Sequence, residues 1–252
     1  MDLGITNNVQ PALSLGGLGG NSQAPIQQPI QQQQQYGQPI QQQQQYEPPI
    51  QQAPIQRPAS TGVSLQKGQK VSLTKMNASL DNILVGLGWD ISQTTSIPHD
   101  LDVEVFMLDA NDRIVGDSWF VFYNQLVSPD GSVRHSGDNR TGAGAGDDEV
   151  VNIQLSRVNP QVQKLVFIVT ISEAQERGHN FGQMQNAYIR VVDSSSSKEL
   201  VRFNLTDYYT NVVSMLVAEL YKHNNEWKFN PIGEGLMDDL LGLCRRYGVN
   251  AS

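Results

Sequence analysis

A glycine-rich segment, residues 137–149, combines many oxygen donors within a short stretch. Its side-chain oxygens belong to Asp138, Asn139, Thr141, Asp147, Asp148 and Glu149. Between them, Gly142, Gly144 and Gly146 let the backbone turn sharply, so that its carbonyl groups can point inward. Calcium takes about six to eight oxygen ligands, drawn from carboxylates and backbone carbonyls. The segment therefore supplies the ligand types that a calcium site needs.

Three other interpretations compete for this segment. A phosphate cradle would use the glycine N–H groups, but the acids that follow would repel an anion, and no Lys-Ser or Lys-Thr pair is present. An EF-hand fails because Arg140 and Ala143 occupy its third and sixth positions, and because a strand is predicted after the segment. A solvated acidic loop remains open, since Asp and Gly are ordinary turn residues.

A second acidic cluster lies upstream, at Asp100, Asp102 and Glu104. If these residues form a strand, their side chains point to one face. Carboxylates on one face repel one another unless a cation neutralises them. The alternative is a strand end whose polar face lies in water. Whether this cluster meets the glycine-rich segment depends on the tertiary fold, which residue spacing does not reveal.

Composition limits the classes of function. The chain has 252 residues and a net charge of −8, which argues against nonspecific nucleic-acid binding. Cys244 is the single cysteine, so neither an intrachain disulfide nor a cysteine-based zinc site is expected. The longest apolar run, residues 165–171, is too short to span a bilayer, and the first basic residue is Arg57. We expect a cytoplasmic protein.

The N-terminal region differs in composition from the rest. Residues 1–56 contain two charged side chains and seven of the 12 prolines, and a ten-residue repeat of Pro-Ile, five glutamines and Tyr occurs twice. Such a sequence buries too little apolar surface to offset the entropy of ordering. We expect residues 1–60 to be a disordered Gln/Pro-rich segment and residues 61–249 to be a folded domain. The segment would serve as a tether or as a weak, multivalent binding region.

The folded region is predicted to be mostly β. Val63–Leu65 and residues 71–73 flank a Lys-Gly-Gln turn and suggest a hairpin. Valine and methionine alternate along residues 103–108, which indicates a strand buried on both faces. Further strands are predicted at residues 119–123, 150–155, 165–171, 187–192 and 200–205. This spacing favours an antiparallel β-sandwich.

The C-terminal part contains one ambiguous segment and one amphipathic pattern. Residues 212–221 fit either a strand or a helix. Four leucines between residues 236 and 243 fit an amphipathic helix, with acids near its start, arginines near its end and Gly248 as its stop. We expect this helix to pack on the sandwich.

Successive short motifs in the folded region resemble the TerD family of tellurium-resistance and bacterial stress-response proteins. They are Val71-Ser-Leu-Thr74, Leu87-Gly-Trp-Asp90, Asp100-Leu-Asp102, Phe120-Val-Phe-Tyr-Asn124, Ser128-Pro-Asp-Gly-Ser-Val133, Gly137-Asp-Asn139, Thr141-Gly142, Gly146-Asp-Asp-Glu149, Phe181-Gly-Gln183, Asn186-Ala-Tyr-Ile-Arg190, Glu219-Leu-Tyr-Lys222 and Glu226-Trp-Lys-Phe229. The resemblance runs from about Val63 to Gly248 and excludes the Gln/Pro-rich segment.

The resemblance implies a β-sandwich that binds one or two calcium ions and has no catalytic residues. By position it would place ligands at Asp100, Asp102, Asp138, Asn139, Thr141, Gly142, Gly144, Asp147, Asp148 and Glu149. Two departures stand out. Ala143 and Ala145 occupy positions where many members have further acids, and Glu104 stands where a small residue is usual.

These observations lead to a hypothesis of a non-enzymatic, calcium-binding stress-response module. Its calcium-ordered acidic loop would dock protein partners, among them sister TerD-family proteins, or anionic lipid at the inner face of the membrane. The alternative is a scaffold whose Gln/Pro-rich segment recruits partners while the sandwich acts as a constitutive head. A Ser-His-Asp enzyme is disfavoured because no nucleophile-elbow sequence is present.

Overall fold

The computed structural model describes residues 60–90, 99–137, 146–205 and 210–250. All of them lie within the unit Pro54–Ser252. Of the predicted Gln/Pro-rich segment, only Ser60 is among the described residues, so its predicted disorder and binding role lie outside them.

Within these residues, two six-stranded sheets share one apolar core. The strands are β1 Val63–Leu65, β2 Val71–Ser72, β3 Asn82–Asp90, β4 Leu101–Leu108, β5 Phe120–Val121, β6 Val133–His135, β7 Glu149–Gln154, β8 Lys164–Ile171, β9 Gln185–Asp193, β10 Lys198–Asn204, β11 Ser214–His223 and β12 Glu226–Leu236. Sheet A has the order β1-β10-β9-β3-β7-β6, and sheet B the order β2-β12-β11-β8-β4-β5. The helices are α1 Leu73–Met76, α2 Ala174–Arg177 and α3 Leu240–Tyr247.

The predicted antiparallel β-sandwich is confirmed. Pairing is antiparallel throughout the described strands except between β1 and β10, which run parallel. The valine pattern of β4 is also confirmed, because all eight of its residues are buried. Val103 and Val105 belong to the core between the sheets, whereas Phe106 and Leu108 pack with α3 on the other face of sheet B.

Helix α3 covers the outer face of sheet B, as expected. Asp239 caps its start by accepting a 2.8 Å hydrogen bond from the Gly242 N–H. Gly248 ends it with φ +88°, a left-handed conformation that suits glycine. The helix begins later than its leucine pattern suggests, because Leu236 belongs to β12. Within the described residues, no helix combines the length and apolar character needed to cross a bilayer.

Three local features differ from the sequence-based expectations or extend them. The predicted hairpin is wrong, because β1 pairs with β10 in sheet A while β2 pairs with β12 in sheet B. Gly68, at φ +76°, lies between β1 and β2, where the chain passes from sheet A to sheet B. The ambiguous segment 212–221 lies mostly in strand β11. Strands β3, β6 and β12 were not predicted.

Candidate metal site

Three consecutive acids at the end of the glycine-rich segment contact three different strands. The Asp147 carboxylate contacts Arg190 of β9. Asp148 Oδ2 accepts a 2.9 Å hydrogen bond from the Trp89 N–H in β3. Glu149 Oε2 accepts a 2.6 Å hydrogen bond from the Val103 N–H in β4. Because Glu149 lies in sheet A and Val103 in sheet B, the last contact joins the two sheets.

His135 contacts the first residue of the glycine-rich segment, Gly137. Its Nδ1 accepts a 3.0 Å hydrogen bond from the Gly137 N–H, so the ring proton lies on Nε2. Nε2 then donates to the Val103 carbonyl at 3.1 Å and lies 3.6 Å from Glu149 Oε2. The chain is therefore anchored on both sides of residues 138–145, at Gly137 and at residues 147–149.

Asp102 and Glu104 of the upstream acidic cluster lie on strand β4, and Asp100 immediately precedes it. Asp100 and Asp102 are both 7% exposed, and Glu104 is fully buried. By strand alternation, Asp102 and Glu104 share the face of Phe106 and Leu108 rather than the inter-sheet core. The expectation that the acids of this segment share one face therefore holds for Asp102 and Glu104.

Glu104 is the most deeply buried carboxyl group of the upstream cluster. Burial raises its pKa well above the usual value, and the negative charges of Asp102 and Glu149 raise it further. A 2.7 Å hydrogen bond from Thr170 Oγ1 to Oε1 opposes these effects. Oε2 is buried without a hydrogen-bond partner among the described residues. Such a set of buried carboxyl oxygens fits a hard cation, which would relieve their mutual repulsion.

Asp147 is already engaged by protein groups. Arg190 Nε donates to Asp147 Oδ1 at 2.8 Å, and Arg190 Nη2 donates to Oδ2 at 3.0 Å. The Tyr188 hydroxyl adds a 2.9 Å hydrogen bond to Oδ1. Burial alone would lower the pKa of Arg190, but its bonds to the Asp147 and Glu199 carboxylates raise it above its usual value. The Asp147 carboxylate is thus oriented toward the outer face of sheet A.

The structure bears on only part of the predicted ligand set. Asp100, Asp102, Asp147, Asp148 and Glu149 are described and buried or nearly so. Five predicted ligands lie outside the described residues: Asp138, Asn139, Thr141, Gly142 and Gly144. Among described side chains, no group of three or more His, Cys, Asp or Glu residues is placed to hold a metal ion by itself. The full ligand set therefore stays a prediction.

Two contributors to the site were missed in the sequence. Tyr188 and Arg190 belong to the motif Asn186-Ala-Tyr-Ile-Arg190, but no contact with Asp147, 41 and 43 residues away, was predicted for them. Their alternation with buried Ile189 and Val191 does indicate that both point away from the core. Nothing in their spacing identifies Asp147 as their partner.

The folded part of the chain matches the TerD domain model over residues 61–247. It is also 49% identical over 190 residues to the tellurium resistance protein TerD of Serratia marcescens, covering 75% of this chain and 99% of that protein. The chain belongs to the TerD family. General stress protein 16U of Bacillus subtilis is another relative, 45% identical over 74% of this chain and 97% of its own length.

A solved structure agrees with this assignment to the TerD family. The crystal structure of a homologue of telluride resistance protein (TerD) from Streptomyces coelicolor A3(2) superposes with a TM-score of 0.53 at 25% identity. The match covers 69% of this chain and 100% of that one. The TerD-family domain of this chain therefore has the fold of that homologue.

Proposed function

We propose that this TerD-family chain is a non-enzymatic, calcium-binding stress-response module that acts in the cytoplasm. The observation that supports it most directly is the buried acidic cluster at β4. Asp102, Asp148 and Glu149 are buried, and Glu149 accepts a hydrogen bond from the backbone of Val103, next to Asp102. Buried carboxylates near one another repel. A bound cation would offset this repulsion, and the oxygen-only donor set favours calcium over a softer metal.

The anchoring of the glycine-rich segment supports the same proposal. Asp148 and Glu149 hold its C-terminal side, and His135 holds Gly137 on its N-terminal side. The intervening residues 138–145 carry the remaining predicted ligands. Calcium held by Asp100, Asp102, Asp148 and Glu149 together with residues of that segment would neutralise the acids and order the segment.

The names of the relatives support a role in stress response. Those relatives include a tellurium resistance protein and a general stress protein.

The state of the single thiol supports a role without thiol chemistry. Cys244 is buried, and its pKa is raised to about 11, first by burial and then by the charges of Glu104 and Asp239. Little reactive thiolate is present at neutral pH.

Calorimetric titration of the chelator-treated, full-length chain tests calcium binding. We expect saturable binding of calcium, weaker binding of magnesium, and a calcium-dependent rise in melting temperature. Asp148→Asn should weaken calcium binding about tenfold or more, since a charged ligand is lost. Asp238→Asn is the matched control, because Asp238 is half exposed and its nearest cation, Arg246, is 3.8 Å away. Absence of both heat and thermal stabilisation would refute the proposal.

The calcium-loaded loop would then dock a protein partner, such as another TerD-family protein, or anionic lipid. Docking to lipid is tested by co-sedimentation with vesicles of phosphatidylglycerol and phosphatidylcholine, in the presence of calcium or of chelator. A pull-down between purified chains under the same two conditions tests the protein arm. Calcium-independent results in both assays would refute the docking role while leaving calcium binding intact.

A further inference from the structure

A polar depression of about 440 Å³ lies on sheet A, away from the candidate metal site. Residues of β3, β6 and β7 line it, together with the turns around Gly131 and Ser194. Its lining is dominated by hydrogen-bonding side chains, among them Arg134, Asn152, Arg157, Ser194 and Ser195. A volume of this size accommodates a small polar ligand.

Two arginines converge at Gly131, on the rim of this depression. A Cβ built on Gly131 would lie 3.1 Å from Arg157 Nη2 and 3.3 Å from Arg134 Nη2. Gly131 also has φ +66°, in the left-handed region that favours glycine. A larger residue would therefore be strained and would crowd both guanidinium groups.

Neither arginine is neutralised by a carboxylate of the described residues. Arg157 Nη2 donates to the Asp130 carbonyl at 2.9 Å, and Arg134 pairs in β6 opposite Asn152 with its side chain exposed. The nearby Asp130 carboxylate is occupied by Ser128, Ser132 and Asn159. Asp81, behind Gln154, accepts hydrogen bonds from Gln154 and Ser156.

The two positively charged guanidinium groups repel each other. An anion bound between them would attract both and so offset this repulsion. Forked guanidinium donors match the oxygens of a phosphoryl group, and the Asn152 amide and the Ser194 and Ser195 hydroxyls line the same depression. We propose that this depression, named here the arginine depression, binds a phosphate-type oxyanion through Arg134 and Arg157.

Titration of the full-length chain with inorganic phosphate tests the proposal. The titration is done in calcium-free buffer at constant ionic strength, so that its outcome is independent of the calcium site. We expect saturable binding that Arg134→Gln with Arg157→Gln weakens about tenfold or more. Arg245→Gln, an exposed arginine on α3, is the matched control and should change nothing. The double lysine variant keeps the charge without the forked donors and should bind with intermediate affinity.

A vesicle assay distinguishes a free anion from a lipid headgroup. Vesicles of phosphatidic acid in phosphatidylcholine are compared with phosphatidylcholine alone, again without calcium. Arginine-dependent sedimentation with the former, without binding of inorganic phosphate, would assign the oxyanion to a headgroup. Equal phosphate affinity in wild type and the double glutamine variant would overturn the proposal. Failure of wild type to bind either phosphate or the acidic vesicles would overturn it as well.

Discussion

Asp147 accepts a forked hydrogen bond from Arg190 across the outer face of sheet A. Arg190 also donates to Glu199 at 3.0 Å, and Glu199 accepts a 2.6 Å hydrogen bond from Ser60 Oγ. A series of charged and polar contacts therefore runs from Asp147 in the glycine-rich segment to Ser60, the first of the described residues. Arg202, which also binds Glu199, lies 3.9 Å from the centre of the Tyr188 ring and reinforces this chain.

Removing Arg190 should destabilise the domain. Arg190→Gln leaves the largely buried Asp147 carboxylate without its arginine partner and removes one of the two arginines that bind Glu199. We expect a loss of about 2 kcal/mol in the free energy of unfolding, measured by urea denaturation. Arg245→Gln is the control and should cost less than about 0.5 kcal/mol. A double-mutant cycle with Asp147→Asn should show coupling between the two residues. Strict additivity of the two losses in unfolding free energy would mean that the contact between Arg190 and Asp147 does not stabilise the domain.

The contact between Asp147 and Arg190 predicts different roles for Asp147 and Asp148. Because Asp147 is held by Arg190 and Tyr188, Asp147→Asn should reduce calcium affinity less than Asp148→Asn does, while reducing stability more. Calorimetric calcium titration and urea denaturation of both variants give the two comparisons. Equal losses of calcium affinity would mean that Asp147 leaves Arg190 to ligate the ion.

Glu199 should contribute to the acid sensitivity of the fold. Burial alone would raise the pKa of Glu199, but hydrogen bonds from Arg202, Ser60 and Arg190 lower it to about 2, from an ordinary value of 4.5. A lowered folded-state pKa means that the stabilisation is complete above pH 4.5 and is lost as the pH falls toward 2. The free energies of unfolding of wild type and Glu199→Gln should therefore differ at pH 7 and converge over that window. A constant difference across the window would contradict this assignment.

The sequence predicted the sandwich because strand patterns such as those of β4 and β8 recur along the chain with turn residues, and few helical patterns, between them. It did not predict β12, since Pro231 and Gly233 interrupt the pattern; Pro231 is tolerated beside the register shift between Leu216 and Ala218. The hairpin was mispredicted because Gly68 offers the same local turn for pairing and for crossing between sheets. The strands with which β1 and β2 pair, β10 and β12, lie far along the sequence, so a local turn does not identify them.

The candidate site shows the same division between local and tertiary information. Clustered acids with glycines identified the segment, and strand alternation placed Asp102 and Glu104 on one face. The contact of Glu149 with Val103 and that of Asp147 with Arg190 join residues 46 and 43 positions apart. Such pairs depend on which strands become neighbours, so residue spacing gave no indication of them.

Gly86 provides the last prediction, because it makes room for the Asp147 carboxylate on sheet A. A Cβ at Gly86 would overlap both carboxylate oxygens of Asp147, although its backbone conformation suits any residue. Gly86→Ala should displace Asp147 from Arg190 and cost about 1–3 kcal/mol of unfolding free energy. Gly116→Ala is the control, since its Cβ would meet nothing nearer than 3.4 Å, at Trp119. Combining Gly86→Ala with Asp147→Ala should recover part of the loss, whereas a fully additive double variant would show that the carboxylate moves aside without cost.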